Sequence, residues 1–388
     1  MKTDLKNIIC EALSKSLKGK SSALHEPSFD IYELENLKEC INSTFVSSSG
    51  KFIEKFEEKL RKYTRAKYVI PVVNGTSALH ISLVAKEISQ EDEVLLPAMT
   101  FVATANAVSY CGAIPHFVDS REEDLGIDTI KLREYLESTT KISGNKCINK
   151  KTGRRIKAII PMHTFGHPSD LKNLIKIAKD FNLFIIEDAA EGLGSFYKEK
   201  HVGTIGAVGV LSFNGNKIIT TGGGGAILTN NKKLAQKIKH ISSTAKVNHK
   251  WEYIHDDVGY NYRMPNINAA LGLAQLEKID TLLKSKRALF KIYKENFKGI
   301  DEITLFEEPK NCKSNYWLQT LILDKNYNND LEEILKHTNN KGFITRPVWN
   351  LLNELKPFKN CPTSNLENSI SLRQRIINIP SSSFLSEI

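Results

Sequence analysis

The chain has no C-x-x-C pair: its six cysteines, Cys10, Cys40, Cys111, Cys147, Cys312 and Cys361, are scattered. That spread argues against a disulfide framework or a zinc site and suits a reducing cytoplasm. No run approaches the roughly 20 apolar residues of a membrane span. The opening stretch "MKTDLKNIICEALSKSLKGK" carries Asp4 and Glu11 where a signal peptide needs an apolar core. A helix-turn-helix, zinc-finger or ribonucleoprotein-type motif is also missing, so nothing anchors nucleic-acid binding. The excess of 54 Lys+Arg over 44 Asp+Glu, a net charge of +10, is spread along the sequence. It reads as a solvated lysine-rich surface, with a pull on small anionic substrates as the other reading. The expectation is a cytoplasmic protein with neither membrane nor nucleic acid as partner.

What is present is ordinary globular composition, 41% hydrophobic and 25% charged over 388 residues. That is enough for two packed lobes. Residues 1–25 read as a helical extension, with Ile9, Leu13 and Leu17 four apart. Residues 26–265 read as a large domain, and 266–388 as a smaller α+β one. Within the large domain short apolar runs ("YVIPVV", "EVLLP", "IPHFVD", "IKAIIP", "LFIIED") alternate with helical stretches ("GTSALHISLVA", "FVATANAVSYCG", "DLKNLIKIAKDF"). Such alternation predicts a mostly parallel sheet flanked by helices on both faces.

In an open α/β sheet, ligands bind beyond the carboxyl ends of the strands. At one such end, "VVNGTSALH" places Thr76 and Ser77 at a helix N-terminus, as an anion site or as a plain cap. At a second, Asp188 follows "LFIIE", where its carboxylate needs a cation, from a protonated ligand ring or from a structural arginine. At a third, "SFNGNKIITTGGGGAILTN" sets Ser212 and Lys217 before four glycines. A lysine in a dry pocket can form a Schiff base. A Walker loop has its glycines before the lysine and a hydroxyl after it, whereas Ile218 follows Lys217. At a fourth, "GYNYRMPNINAALGLAQLEKID" offers Asn261 and Arg263 as anion contacts, or else only an interface helix. His163 and His167 in "HTFGH" stand four apart, but Gly166 and Pro168 place them in a loop, and no metal is expected.

Hydroxyls at a helix start, an Asp after a strand and Ser-x4-Lys before glycines, in that order, resemble the fold-type I pyridoxal-phosphate enzymes. More narrowly the chain resembles the DegT/DnrJ/EryC1/StrS sugar aminotransferases, through "NGTSALH", "PAMTFVATANAV", "HTFGHPSDL", "EDAAEGLGS", "SFNGNKIITTGGGGA" and "GYNYRMPNINAALGLAQLE". The resemblance implies a large cofactor domain and a small C-terminal α+β domain. It implies that Lys217 joins pyridoxal phosphate covalently and later moves a proton, and that Asp188 pairs with the pyridine nitrogen. Thr76, Ser77 and Ser212 would contact the phosphate, Phe101 would stack on the ring, and Asn261 would reach the partner subunit's cofactor in a homodimer with shared active sites. Gly223 departs from the family's usual glutamate. Glu191 stands where Gln or His commonly meets the ring hydroxyl, which puts a second carboxylate near Asp188.

The lead-in and "LHEPSFD" look most like the branch of the legionaminic-acid pathway, implying transfer of an amino group from glutamate to C4 of a UDP- or GDP-linked 4-keto-6-deoxy-N-acetylhexosamine. Arg263, Tyr316, Trp317, Arg346 and Trp349 are the candidates for its nucleotide-sugar contacts. The alternatives are a 3-keto-sugar aminotransferase of the same family and a cofactor-sensing regulator.

Overall fold

The computed structural model describes residues 4–387. Seven strands form the body of the main sheet: β1 (Tyr68–Val72), β2 (Asp92–Pro97), β3 (Ile114–Val118), β4 (Arg155–Ile159), β5 (Phe184–Asp188), β6 (Val208–Ser212) and β7 (Gly225–Thr229). They lie in the order β1–β7–β6–β5–β4–β2–β3. From β6 to β3 every pairing is parallel. Of the seven, β7 alone runs against its neighbours, β6 and β1. A hairpin of Thr140–Ser143 and Lys146–Asn149 extends the sheet from β4.

The strands read as unbroken apolar runs because both faces of the sheet are covered, and β2 and β7 are buried at every position. One face packs Phe56, Leu60, Leu95, Ile159 and Ile185, and the other packs Ile70, Val72, Leu79, Ile81 and Val210. The covering helices supply matching stripes. In Leu171–Asp180, Leu171, Leu174, Ile177 and Ala178 are buried, and the Asp170 carboxylate caps the helix by accepting from the Asn173 N–H.

A second, four-stranded antiparallel sheet joins Ile303–Leu305, Gln319–Leu323, Ile376–Ile379 and Arg346–Pro347. The long helix Ile279–Asn296 packs on it. The helix Leu5–Ser16 belongs to this same core: Leu5, Ile9 and Leu13 pack with Leu289, Tyr293, Leu321 and Ile377. Each such buried side chain contributes about 1.5–3 kcal/mol. Among the described residues no helix is long and apolar enough to cross a membrane.

Candidate active site

The carboxyl ends of β1, β5 and β6 converge on a cavity of about 330 Å³. Its lining includes Asn74, Thr76, Phe101, Asp188, Glu191, Ser212, Lys217, Trp317 and Trp349. β1 leads through Asn74 into the helix Gly75–Ala85, whose first turn faces the cavity. The Asn74 side chain accepts from the Ser77 N–H at 2.7 Å, and the Ala78 N–H bonds to the Asn74 carbonyl. Among the described residues the N–H groups of Gly75 and Thr76 keep no protein partner. With the hydroxyls of Thr76 and Ser212 beside them, they form a ready anion cradle at a helix N-terminus.

The glycines after Lys217 explain how these parts fit together. Gly222 has φ +76°, and a Cβ on Gly225 would lie 2.6 Å from the Asn74 carbonyl carbon. The start of β7 therefore passes directly against the turn that forms the cradle. At Gly223 a Cβ would meet nothing nearer than 3.9 Å, so space does not demand glycine where the family usually has glutamate.

Charge gathers at the other end of the cavity. Asp188 is buried; Thr104 donates its hydroxyl to Oδ2 at 2.7 Å, and the Ala190 N–H reaches Oδ1 at 3.2 Å. Burial pushes its carboxyl up from the usual range despite those bonds. Lys217 Nζ sits 3.2 Å from Glu191 Oε1 and 3.9 Å from the centre of the Trp317 ring. Burial raises the Glu191 carboxyl to about 7 against the pull of Lys217. Two buried carboxylates thus face one ammonium. A ligand bringing a further positive charge to Asp188 and an anion to the cradle completes that balance, and protonated pyridoxal phosphate has both groups.

Several expected contacts lie elsewhere. Ser77 is off the lining, and its N–H is spent on the Asn74 cap. Tyr316 is a correction. It is 2% exposed, its ring stacks on Phe290 at 4.4 Å, and its hydroxyl accepts from the Glu308 N–H, so it is core and cannot touch a substrate. Arg346 borders an adjoining cavity of about 460 Å³ that shares Asn216, Trp317 and Trp349 with the first. Asn261 is exposed and pairs with Ser243, and Arg263 pairs with Val72 beside β1. His163 and His167 hydrogen-bond with Glu187 and Ser314, respectively.

Sequence reading missed Thr104 and Asn315. Thr104 lies one helical turn after Thr100 in "TFVAT", a signal that was available. Asn315 donates to the carbonyls of Glu191 and Leu193 from 122 or more residues away, and no local pattern announces it.

The DegT/DnrJ/EryC1/StrS aminotransferase family model matches residues 27–387. The chain is 39% identical over 326 residues to the GDP-perosamine synthase of Escherichia coli O157:H7, covering 84% of each. It is 32% identical to the UDP-4-amino-4,6-dideoxy-N-acetyl-beta-L-altrosamine transaminase of Campylobacter jejuni, covering 75% of this chain and 74% of that one. Among solved structures, Helicobacter pylori PseC, an aminotransferase involved in the biosynthesis of pseudoaminic acid, superposes with a TM-score of 0.83 at 26% identity, over 93% of this chain and 94% of that one. With a family match over nearly the whole sequence and a lysine, an aspartate and an anion cradle gathered at one cavity, the chain belongs to the DegT/DnrJ/EryC1/StrS family and is a pyridoxal-phosphate-dependent sugar aminotransferase.

Proposed function

We propose that the enzyme moves the amino group of L-glutamate to C4 of a 4-keto-6-deoxyhexose carried on a nucleoside diphosphate. The observation that carries the chemistry is the ammonium of Lys217 set between Glu191 and the Trp317 face, beside Asp188. The position of the new amine rests on relatives: the E. coli match is a GDP-perosamine synthase, and the C. jejuni match is named for a 4-amino-4,6-dideoxy sugar. The GDP-linked sugar is the first substrate to try. The N-acetylated, UDP-linked sugar of a legionaminic-type route is the second.

Pyridoxal phosphate, when bound, supplies a carbonyl carbon for Lys217 and a ring that takes up electrons. Asp188 would hold the pyridine nitrogen protonated. The N–H groups of Gly75 and Thr76, with the Thr76 and Ser212 hydroxyls, would hold the phosphate, and Phe101 would cover the ring. The Lys217 amine would carry a proton between substrate carbon and ring system. Trp317, Trp349 and Arg346, bordering the adjoining cavity, are where the sugar nucleotide would lie.

A lobe boundary near residue 265, a cytoplasmic location and a homodimer belong to the same reading. Ile31, Tyr32, Leu34 and Ile41 on the helix Ile31–Asn42 are all more than half exposed, which supports a second copy covering them.

The test mixes purified enzyme, pyridoxal phosphate and glutamate with each keto-sugar nucleotide and locates the new amine by NMR. Amination at C4 supports the reading, and an amine at C3 replaces it with the 3-keto alternative. If neither sugar reacts, the assignment of a 4-keto-6-deoxyhexose substrate fails.

A further inference from the structure

Lys217 has a partner that a Schiff-base lysine does not require. Glu191 Oε1 lies 3.2 Å from Nζ, and Oε2 is tethered by the Phe165 N–H at 2.9 Å. The tether is built at some expense. Phe165 sits at φ +56°, a backbone state that costs on the order of 1–3 kcal/mol. The next residue, Gly166, has φ +93° and leaves no room for a Cβ, which would meet Asn315 Oδ1. Asn315 in turn fixes the Glu191 main chain through the Glu191 and Leu193 carbonyls, at 2.7 and 2.8 Å. Backbone strain and a dedicated amide therefore aim one carboxylate at one ammonium.

The opposite side of Nζ is closed by the Trp317 ring, whose indole N–H donates to the Asn216 carbonyl at 2.6 Å. The other charged or titratable groups near the pair are Asp188 and His25. The His25 imidazole is held well below its usual range by burial and by the positive charges of Lys286 and Lys217. Neither competes with Glu191 for Nζ, since no hydrogen bond joins either to it among the described residues.

We propose that Glu191 is a positioning counter-ion for Lys217: it holds Nζ as an ammonium against the Trp317 face, restrains its nucleophilicity, and favours the protonated form of the nitrogen once the cofactor has joined it. This rests on the reading of Lys217 as the cofactor-bearing lysine. A glutamine could occupy the same tether and contact a ring oxygen, but it carries no charge to do this.

The experiment has two arms. In the first, cofactor-free wild type, Glu191→Gln and Glu191→Asp are treated with acetic anhydride at pH 8.5, where the Glu191 carboxyl is ionised, and acylation of Lys217 is followed by peptide mass spectrometry against the exposed Lys284. With the neighbouring charge removed, the Gln variant should acylate about ten-fold faster or more, with Asp in between. In the second, the same proteins loaded with pyridoxal phosphate are titrated in the visible. The pH at which the band changes form should fall in Glu191→Gln and be partly restored in Glu191→Asp.

Equal acylation rates together with an unmoved band overturn the proposal, as does a slower rate in the Gln variant. Should Glu191→Gln fail to fold, the Asp variant decides, with a rate above wild type expected. If wild type gives no Lys217-dependent band, the cofactor reading has failed, and the acylation arm still judges the counter-ion.

Discussion

Gly225 and Asn74 meet through their backbones: a Cβ on Gly225 would stand 2.6 Å from the Asn74 carbonyl carbon and 2.8 Å from the Gly75 nitrogen. No flexible side chain is available to move aside. Gly225→Ala should cost about 1–3 kcal/mol by overpacking and weaken pyridoxal-phosphate binding, because the displaced atoms belong to the anion cradle. Gly223→Ala, with open space around it, should change stability by about 0.5 kcal/mol or less. Thermal unfolding and cofactor titration of the two variants side by side check the contrast, and equal behaviour would remove the close approach as an explanation.

Asp188 is held by Thr104 on one side and open to the cavity on the other. Replacing it with asparagine keeps the shape and removes the charge. The glutamate half-reaction, followed by absorbance, should slow about a hundred-fold or more while Lys217 still captures the cofactor. Retention of full rate in Asp188→Asn would mean that no ring nitrogen relies on this carboxylate.

Glu191 makes the stability of the cofactor-free protein depend on pH. Its carboxyl titrates near 7 when folded, above the ordinary 4.5 it has when unfolded. Its contribution is therefore complete below about pH 4.5 and is lost as pH rises through about 7, a span on the order of 3 kcal/mol. Glu191→Gln should accordingly be the more stable protein above pH 7, with the two melting curves converging as pH falls toward 4.5. Curves that stay parallel across that window would contradict the assignment.

Glu187 tests what supports the site from behind. It is fully buried, accepts the N–H groups of Gly203, Ile205 and Gly206 at 2.7, 2.7 and 2.5 Å, and pairs with His163 at 3.1 Å. Glu187→Ala strands those donors and should cost about 3–5 kcal/mol in urea unfolding. A loss under about 1 kcal/mol would show that water replaces the carboxylate there.

Much of this was legible in the order of residues. The apolar runs that become β1 to β7 are continuous because their sheet is covered on both faces, and Asp188, Ser212 and Lys217 follow strands in the sequence and stand at strand ends in space. What stayed hidden depends on distant partners. Tyr316 and Trp317 are adjacent in the sequence, yet one turns into the core against Phe290 while the other closes over Lys217. The φ of +50° at Tyr316 that accompanies this divergence has no local signature. The Glu191–Lys217 contact likewise spans 26 residues and three strands, so the sequence set Glu191 near Asp188 without disclosing its contact with Lys217.

The Trp317 tie to Asn216 links positions 101 residues apart, and the Trp317 carbonyl is itself held by the buried amine of Lys286, which also donates to the Ser381 carbonyl. The lid over the reactive lysine is thus fastened, through Lys286, to the segment that follows the strand Ile376–Ile379. Contacts of such long sequence separation form late, after their loops have closed. A nascent chain on the ribosome carries Lys217 long before it has Trp317 or Ser381. Closing the cavity over Lys217 therefore waits on the second sheet as well as on the strands that lead to the lysine itself.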